Sequence, residues 1–402
     1  MELKQSYKQS DIGFIPEDWN CVTMGEIGKT IIGLTYSPND VSSYGTLVLR
    51  SSNIQQNQLK YDNNVFVDMD VPPRVIVKEN DLLICVRNGS KHLIGKCALI
   101  DKNAVGFAFG AFMSIYRSEF SKYIFYSFQS NVIQRQIDET MGATINQLTN
   151  KNLSEFKIPL PPLLEQIAIA QVLSDTDNLI QAIEQKLSKR RNIKQGAMQQ
   201  MLIPKDDWEV RLLGEIAKFR RGSFPQPYGL PIWYDEYTGT PFVQVFDVDK
   251  NMKLKSSTKQ KISDAAKDKS VFVEKGNIIL TIQGSIGRIA ITQYDAYVDR
   301  TLLIFTDYKV PIDKVFFAYV IQEKFRIEKE NAPGGIIKTI TKEALSKYDI
   351  PLPKSKQEQS HIASVLSDMD IELEQLENKL LKCRQLKQGL MQNLLTGKIR
   401  LV

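Results

Sequence analysis

The feature that most constrains this chain is an internal duplication. Residues 165–202 (EQIAIAQVLSDTDNLIQAIEQKLSKRRNIKQGAMQQML) and 358–395 (EQSHIASVLSDMDIELEQLENKLLKCRQLKQGLMQNLL) align without a gap and agree at about half of their positions, far above chance for unrelated helices. The same approach precedes each: LSEFKIPLPP (153–162) and LSKYDIPLPK (345–354). The longer blocks before them also open alike, with IPEDWNCVTMGEIGK (15–29) echoed by IPKDDWEVRLLGEIAK (203–218). Fainter echoes pair GTLVLRSSNI (45–54) with GTPFVQVFDV (239–248), and NDLLICVRNGSKHLIGK (80–96) with GNIILTIQGSIGRIA (276–290). The expected order is therefore globule, helix, globule, helix, with boundaries at 1–157, 158–203, 204–350 and 351–402.

The two kinds of segment differ in pattern. Runs such as LVLRSSNI, VIVKENDLLICV, FVQVFDV, VFVEKGNIILTI and RTLLIFTD are β-rich and bounded by turn residues, so the globules read as mixed, strand-dominated domains of an α+β protein. Two helical stretches fall within them, at 121–137 and 313–328. The duplicated segments read as long helices. Leu366, Met369, Leu373, Leu376, Leu380 and Cys383 recur at alternating steps of three and four, the seam of a coiled coil. Val172, Leu179, Ile183 and Leu187 are expected on the matching stripe of the first helix. Thirty-eight helical residues span about 57 Å. Prolines in IPLPP and IPLP mark where each helix begins. Each helix is acidic early (Asp175, Asp177, Glu184; Asp368, Asp370, Glu372, Glu374, Glu377) and basic late (Lys186, Lys189, Arg190, Arg191, Lys194; Lys379, Lys382, Arg384, Lys387). This suits the helix dipole. It also favours antiparallel pairing of the two helices, which creates a pseudo-two-fold axis.

The case for catalysis is thin. The chain has no P-loop, no GxGxxG after a strand and no Asn-Pro-Pro-aromatic motif. Its Pro-Pro pairs, in VPPR and LPPLL, lack the polar residue in front. Glu155–Lys157, Glu184–Lys186 and Glu377–Lys379 form the ExK spacing that nucleases use, but the last two fall on the expected coiled coil and read as solvated helix charges. Only two histidines occur, His92 and His361, which leaves little for general-base chemistry. Cys21, Cys85, Cys97 and Cys383 form no CxxC pair, so neither structural zinc nor disulfides are expected. The N-terminal MELKQSYKQSDIGFIPEDW lacks the apolar stretch of a signal peptide, and no run approaches the ~20 apolar residues of a membrane helix. A cytoplasmic protein with no membrane partner is expected. A net charge of +6 is compatible with a polyanion partner.

What remains is binding. Two similar globules on a helical ruler suit a target with two separated half-sites, and duplex DNA offers this because its groove returns to one face every ~34 Å. Base reading calls for Arg, Lys, Asn, Gln and Ser on loops. The first globule offers Arg50, Ser52 and Asn53, and then Arg87, Asn88, Ser90 and Lys91. The second offers Gln244 at the position aligned with Arg50, and Gln283 and Ser285 after the strand aligned with that preceding Arg87. Arg220, Arg221 and Arg300 add charge there. Thr144 and Asn146 in MGATINQ (141–147), and Lys338 and Thr339 in NAPGGIIKT (331–339), lie on aligned glycine-containing loops.

With these passages in place, the chain resembles the specificity subunits of type I restriction–modification systems. The resemblance covers essentially the whole chain and is carried by IPEDW…MGEIG, IPLPPLLEQIAIAQVLSDTD, KQGAMQQMLIPKDDWEVRLLGEIA and the closing IPLP…EQSHIASVLSDMD with LKQGLMQNLLTGKIRL. It implies two target recognition domains, each reading one half of a split, asymmetric DNA site, with the helical spacers fixing the unread gap. It implies no active site and no cofactor on this chain. Two methyltransferase subunits would supply S-adenosylmethionine and adenine methylation, and motor–nuclease subunits recruited through them would use ATP and Mg2+. The spacers would form much of the methyltransferase docking surface. Leu187, Met198, Met201, Leu380, Met391 and Leu394 are the candidates, because the methionines exceed one coiled-coil stripe; packing of the helix pair or its ends is the alternative. Three other readings stay open: a specificity subunit whose partner fuses methylation and cleavage, a coiled-coil scaffold that reads no sequence, and a nuclease using the ExK residues.

Overall fold

The structure, a computed structural model, describes residues 6–141, 147–331 and 340–401. It divides into two units, one formed by Met1–Glu184 with Lys379–Val402 and the other by Gln185–Asn378. Each unit is a globule plus parts of both long helices, Leu163–Met201 and Lys356–Leu394.

In the first unit an antiparallel sheet runs Cys97–Leu99, Leu82–Cys85, Met113–Arg117, Lys29–Ile32. A second sheet runs Ala108–Phe109, Thr46–Leu49, Phe66–Val67, Val41–Ser42, its first pair parallel. The strand LLIC is buried throughout because both of its faces are covered. Leu82 and Ile84 face a core shared with helical residues Tyr123, Ile133, Ile169, Leu173 and Leu394, while Leu83 and Cys85 face the core that holds Leu47, Leu49 and Phe109. A side-chain period of two explains the division.

The second unit repeats this plan. Its antiparallel sheet runs Ala217–Arg221, Leu302–Tyr308, Ile278–Thr281, Ile289–Ile291, and Thr240–Val243 pairs in parallel with Ala296–Val298 in the other sheet. Ile278 and Leu280 face one core and Ile279 the other. The helical segment departs from the repeat. The helix expected at 121–137 is two helices, Ser121–Phe128 and Asn131–Thr140, because the chain turns at Gln129 and restarts after Ser130, an N-cap residue type in extended conformation. Its counterpart Lys314–Asn331 is continuous.

The IPLP segments are strands rather than bare helix starts: Lys157–Leu160 pairs with Asn20–Thr23, and Asp349–Leu352 with Glu209–Leu212. Proline is tolerated in these two-stranded edges. The long helices pair antiparallel within each unit, as their charge asymmetry implies. Glu184 meets Arg384 and Asp177 meets Lys387, each at 2.6 Å, in the first; Arg190 meets Glu372 at 2.9 Å and Lys194 meets Asp370 at 2.5 Å in the second. Leu366, Leu376, Leu380, Cys383, Ile183 and Leu187 are buried as expected of a seam. Leu179 is not: it is 43% exposed, and the stripe passes instead through Ile169, Leu173 and Thr176.

Polar clamps recur at the helix starts. Trp19 Nε1 donates to Glu165 at 2.9 Å and Trp208 Nε1 to Glu358 at 3.3 Å. Gln166 and Gln359 each donate to a proline carbonyl of the approach, Pro161 and Pro353. Tyr126 donates to Asp177 and Tyr319 to Asp370. Among the described residues no helix is long and apolar enough to cross a membrane.

Candidate nucleic-acid interface

In the first unit, three connections gather where the strands Thr46–Leu49 and Leu82–Cys85 end. The turn Ser51–Asn53 accepts Asn88 Nδ2 on Ser51 Oγ at 3.2 Å and Lys96 Nζ on the Ser51 carbonyl at 3.4 Å. The backbone N–H groups of Val86 and Arg87 donate to the Phe112 carbonyl at 3.0 and 3.1 Å. Gly110 N donates to Leu49 O at 2.9 Å. Chain packing here is tight enough that a Cβ on Gly33 would lie 2.1 Å from the Gly110 carbonyl oxygen. The Arg87 guanidinium lies 5.1 Å above the ring centre of Phe112, which is 56% exposed.

The second unit builds the same end from different residues. Asp299 N donates to Val243 O and Ile282 N to Thr301 O, both at 3.0 Å. A Cβ on Gly222 would lie 2.1 Å from the Val298 carbonyl oxygen. Gln244 Nε2 donates to the Tyr228 hydroxyl, and the exposed Arg300 guanidinium sits 6.0 Å over the Tyr228 ring. Burial, and then the nearby Asp299 charge, push the Tyr228 hydroxyl up to about 12, so it stays a neutral donor. Asp299 is itself held by Thr301 Oγ1 at 2.6 Å. The connection after the first unit's strand spans residues 86–94, closed by Gly95 N on Cys85 O; in the second it is 282–286, closed by Gly287 N on Thr281 O. The longer loop carries Arg87, Asn88, Ser90 and Lys91; the shorter carries Gln283 and Ser285.

Most of the candidates are thus brought together. Arg87, Ser90, Lys91, Gln283, Ser285 and Arg300 are exposed, and Asn88 is half-buried. Arg220 and Arg221 are exposed on the strand Ala217–Arg221 and not in a loop. Arg50 is half-buried and donates to the Asn63 carbonyl at 3.3 Å, while its Nε and the Ser52 hydroxyl are covered. Asn53 needs correction as a reader. It is fully buried, with Oδ1 accepting from Arg50 N at 3.0 Å and Nδ2 donating to Lys60 O at 2.9 Å. Its counterpart Asp247 does the same for its own turn, accepting from Gln244 N at 2.9 Å and Lys259 N at 3.0 Å. Burial holds the Asp247 carboxyl above the ordinary aspartate range. Thr144, Asn146, Lys338 and Thr339 lie outside the described residues. Phe112, Tyr228 and Phe246 escaped the sequence reading because aromatic residues among strands look like core.

The spacer candidates are wholly or partly buried. Leu187, Met198, Leu380 and Leu394 are buried, Met198 and Met201 pack into the second unit's core, and Met391 and Leu394 into the first's. Their surplus over one stripe therefore reflects helix ends docking onto globules. The apolar residues left exposed on these helices include Ile193 (41%), Leu381 and Leu386 (56% each). The ExK glutamates are engaged in ion pairs, Glu184 with Arg384 and Glu377 with Arg191. Among the described residues no group of three His, Cys, Asp or Glu side chains is placed to hold a metal.

Comparison with known proteins fits this geometry. The type I restriction modification DNA specificity domain matches twice, over residues 16–190 and 205–382. The putative type I restriction enzyme MjaX specificity subunit of Methanocaldococcus jannaschii is 28% identical, over 99% of this chain and 97% of that protein. The EcoKI specificity subunit of Escherichia coli K12 is 29% identical over 46% of this chain and 40% of its own length. The crystal structure of the type I restriction–modification S subunit from M. genitalium superposes with a TM-score of 0.61 at 16% identity, covering 94% of this chain and 96% of the other, and so shares the fold.

Proposed function

Because the chain belongs to the type I restriction–modification DNA specificity family, whose relatives here are specificity subunits of type I restriction enzymes, we propose that its two globules read the two unlike halves of one split DNA site and carry no active site. The observation that carries the reading is the pair of loop ends. They share one backbone frame and present Arg87, Asn88 and Lys91 in one unit but Gln283, Ser285 and Arg300 in the other. Unlike donors and acceptors on like frames read unlike bases. The recognition domains are assigned to residues 1–157 and 204–350 and the spacers to 158–203 and 351–402. The subunit assembles with two DNA adenine methyltransferase subunits and, through them, with motor–nuclease subunits, in the cytoplasm. S-adenosylmethionine, ATP and Mg2+ belong to those partners.

Docking of the methyltransferase subunits is assigned to the exposed helix positions, with Ile193 and Leu386 at equivalent places in the two repeats. Exposed apolar side chains recurring in both copies of a repeat are what two like partners would cover. Ile193→Asp and Leu386→Asp should each weaken methyltransferase co-purification; unchanged co-purification in the double variant would remove this assignment. The function itself is tested by selection from a random duplex library with the chain in complex with its methyltransferase partner. A motif of two unlike halves with a fixed gap is expected. A complete, folded complex that enriches no motif would overturn the reading.

A further inference from the structure

The DNA-reading ends each carry an exposed phenylalanine that the family assignment leaves without a role. In the first unit Phe112 is 56% exposed at the tip between Ala108–Phe109 and Met113–Arg117, with the Arg87 guanidinium 5.1 Å above its ring centre. In the second, Phe246 is 40% exposed in the turn Val245–Asp247, with Lys259 Nζ at 5.1 Å and Lys255 Nζ at 6.0 Å from its ring centre. The lysines are not there by chance of flexibility alone. Asp247 ties both into the Phe246 turn, its carboxylate accepting from Lys259 N at 3.0 Å and its carbonyl from Lys255 N at 2.9 Å. The two rings occupy different places on the shared frame. Phe246 corresponds to Ser52, and Phe112 to Thr301, whose carbonyls accept the equivalent N–H groups of Val86 and Ile282.

An exposed aromatic on a DNA-reading surface has two main uses: insertion between bases as a wedge, or lateral apolar contact with the 5-methyl group of thymine. Insertion needs both ring faces free. Here cations within cation–π range cover a face of each ring, which leaves edges for lateral contact. We infer that Phe112 and Phe246 are thymine-methyl readers, one per half-site, with Arg87 and the Lys255–Lys259 pair holding the covered ring faces. Because the rings sit at different frame positions, the thymine falls at a different offset in each half. The inference rests on the proposed DNA-reading function.

The test uses the methyltransferase complex and its selected duplex, in which each thymine is replaced singly by deoxyuridine, removing only the methyl group. One replacement in each half-site should weaken wild-type binding about fourfold, the effect of one buried methyl-sized group. Phe246→Ala should abolish that discrimination in one half and Phe112→Ala in the other, with each remaining half still discriminating. Discrimination that survives both substitutions, half-sites without thymine on either strand, or equal weakening on thymine and deoxyuridine duplexes in Phe→Ala variants with no discrimination by wild type would each overturn the inference. None of these results touches the proposed function, which fails only if no bipartite motif is selected at all.

Discussion

Glu165 and Glu358 hold the same place in the two repeats and live in different surroundings. Glu165 is 1% exposed and accepts from Trp19, from Arg400 on both oxygens at 2.7 and 2.8 Å, and from Leu401 N. Arg400 in turn grips Asp18 and holds that carboxyl below the ordinary aspartate range. Glu358 meets Trp208 and the exposed Lys205, and keeps 24% of its side chain exposed. The first unit thus closes its frame with a buried ion network and the second with a half-wet pair. The duplication keeps the position of the clamp and lets its strength drift. At the loop ends the same rule runs further: close glycine packing and backbone hydrogen bonds match, while the side chains facing outward do not.

The comparison breaks most visibly on removal of the clamp. Glu165→Ala leaves Trp19 without its acceptor and Arg400 with Asp18 alone, and should destabilise the first unit by about 3–5 kcal/mol. Glu358→Ala should destabilise the second clearly less. Denaturant unfolding followed by hydrogen exchange of each unit measures both, and equal effects would deny the asymmetry.

The shared frame predicts symmetry elsewhere. Gly33→Ala and Gly222→Ala each drive a Cβ into a backbone carbonyl at 2.1 Å, so each should cost about 1–3 kcal/mol or more through forced backbone shifts. A change tolerated in only one unit would show that the frames differ. On the reading side, Arg87→Ala should weaken selection at one half-site and Gln283→Ala at the other, by about 1–3 kcal/mol for each base no longer read. Uniform weakening on every sequence would mark the residue as a phosphate binder instead. Gly196 and Gly389 sit at matching places in the long helices, with nothing within 4 Å of an added Cβ. Alanine at either should raise stability by up to about 1 kcal/mol, seen as a higher thermal midpoint. The smallest effect concerns pH. The hydrogen bond from Lys205 holds Glu358 below the ordinary glutamate range. A lowered carboxyl contributes stability above that range and loses it as pH falls through it, so the stability gap between wild type and Glu358→Gln should close on acidification.

Much of this was legible in the chain because it was periodic. The repeat, the antiparallel charge complementarity and the β-rich runs of the globules all follow from spacing. Failures came where chemistry and burial part company. Leu179 is apolar at a plausible interval, yet Thr176, which hides its hydroxyl on the Val172 carbonyl, takes the buried place. Asn53 is as polar as any loop residue, and only the turn geometry shows that its amide is consumed inside. Phe112 and Phe246 have the composition of core and the position of surface. Met198 and Met391 look surplus to a coiled coil because a helix sequence does not announce the globule on which its end will land.

The most direct test of the account is to replace the second recognition domain, residues 204–350, with a second copy of residues 1–157 and repeat the selection with the methyltransferase complex. If each domain reads its own half through its own loop end, the enriched motif keeps one half and carries a second copy of it in place of the other. An unchanged two-part motif from a folded, fully assembled complex would contradict the account.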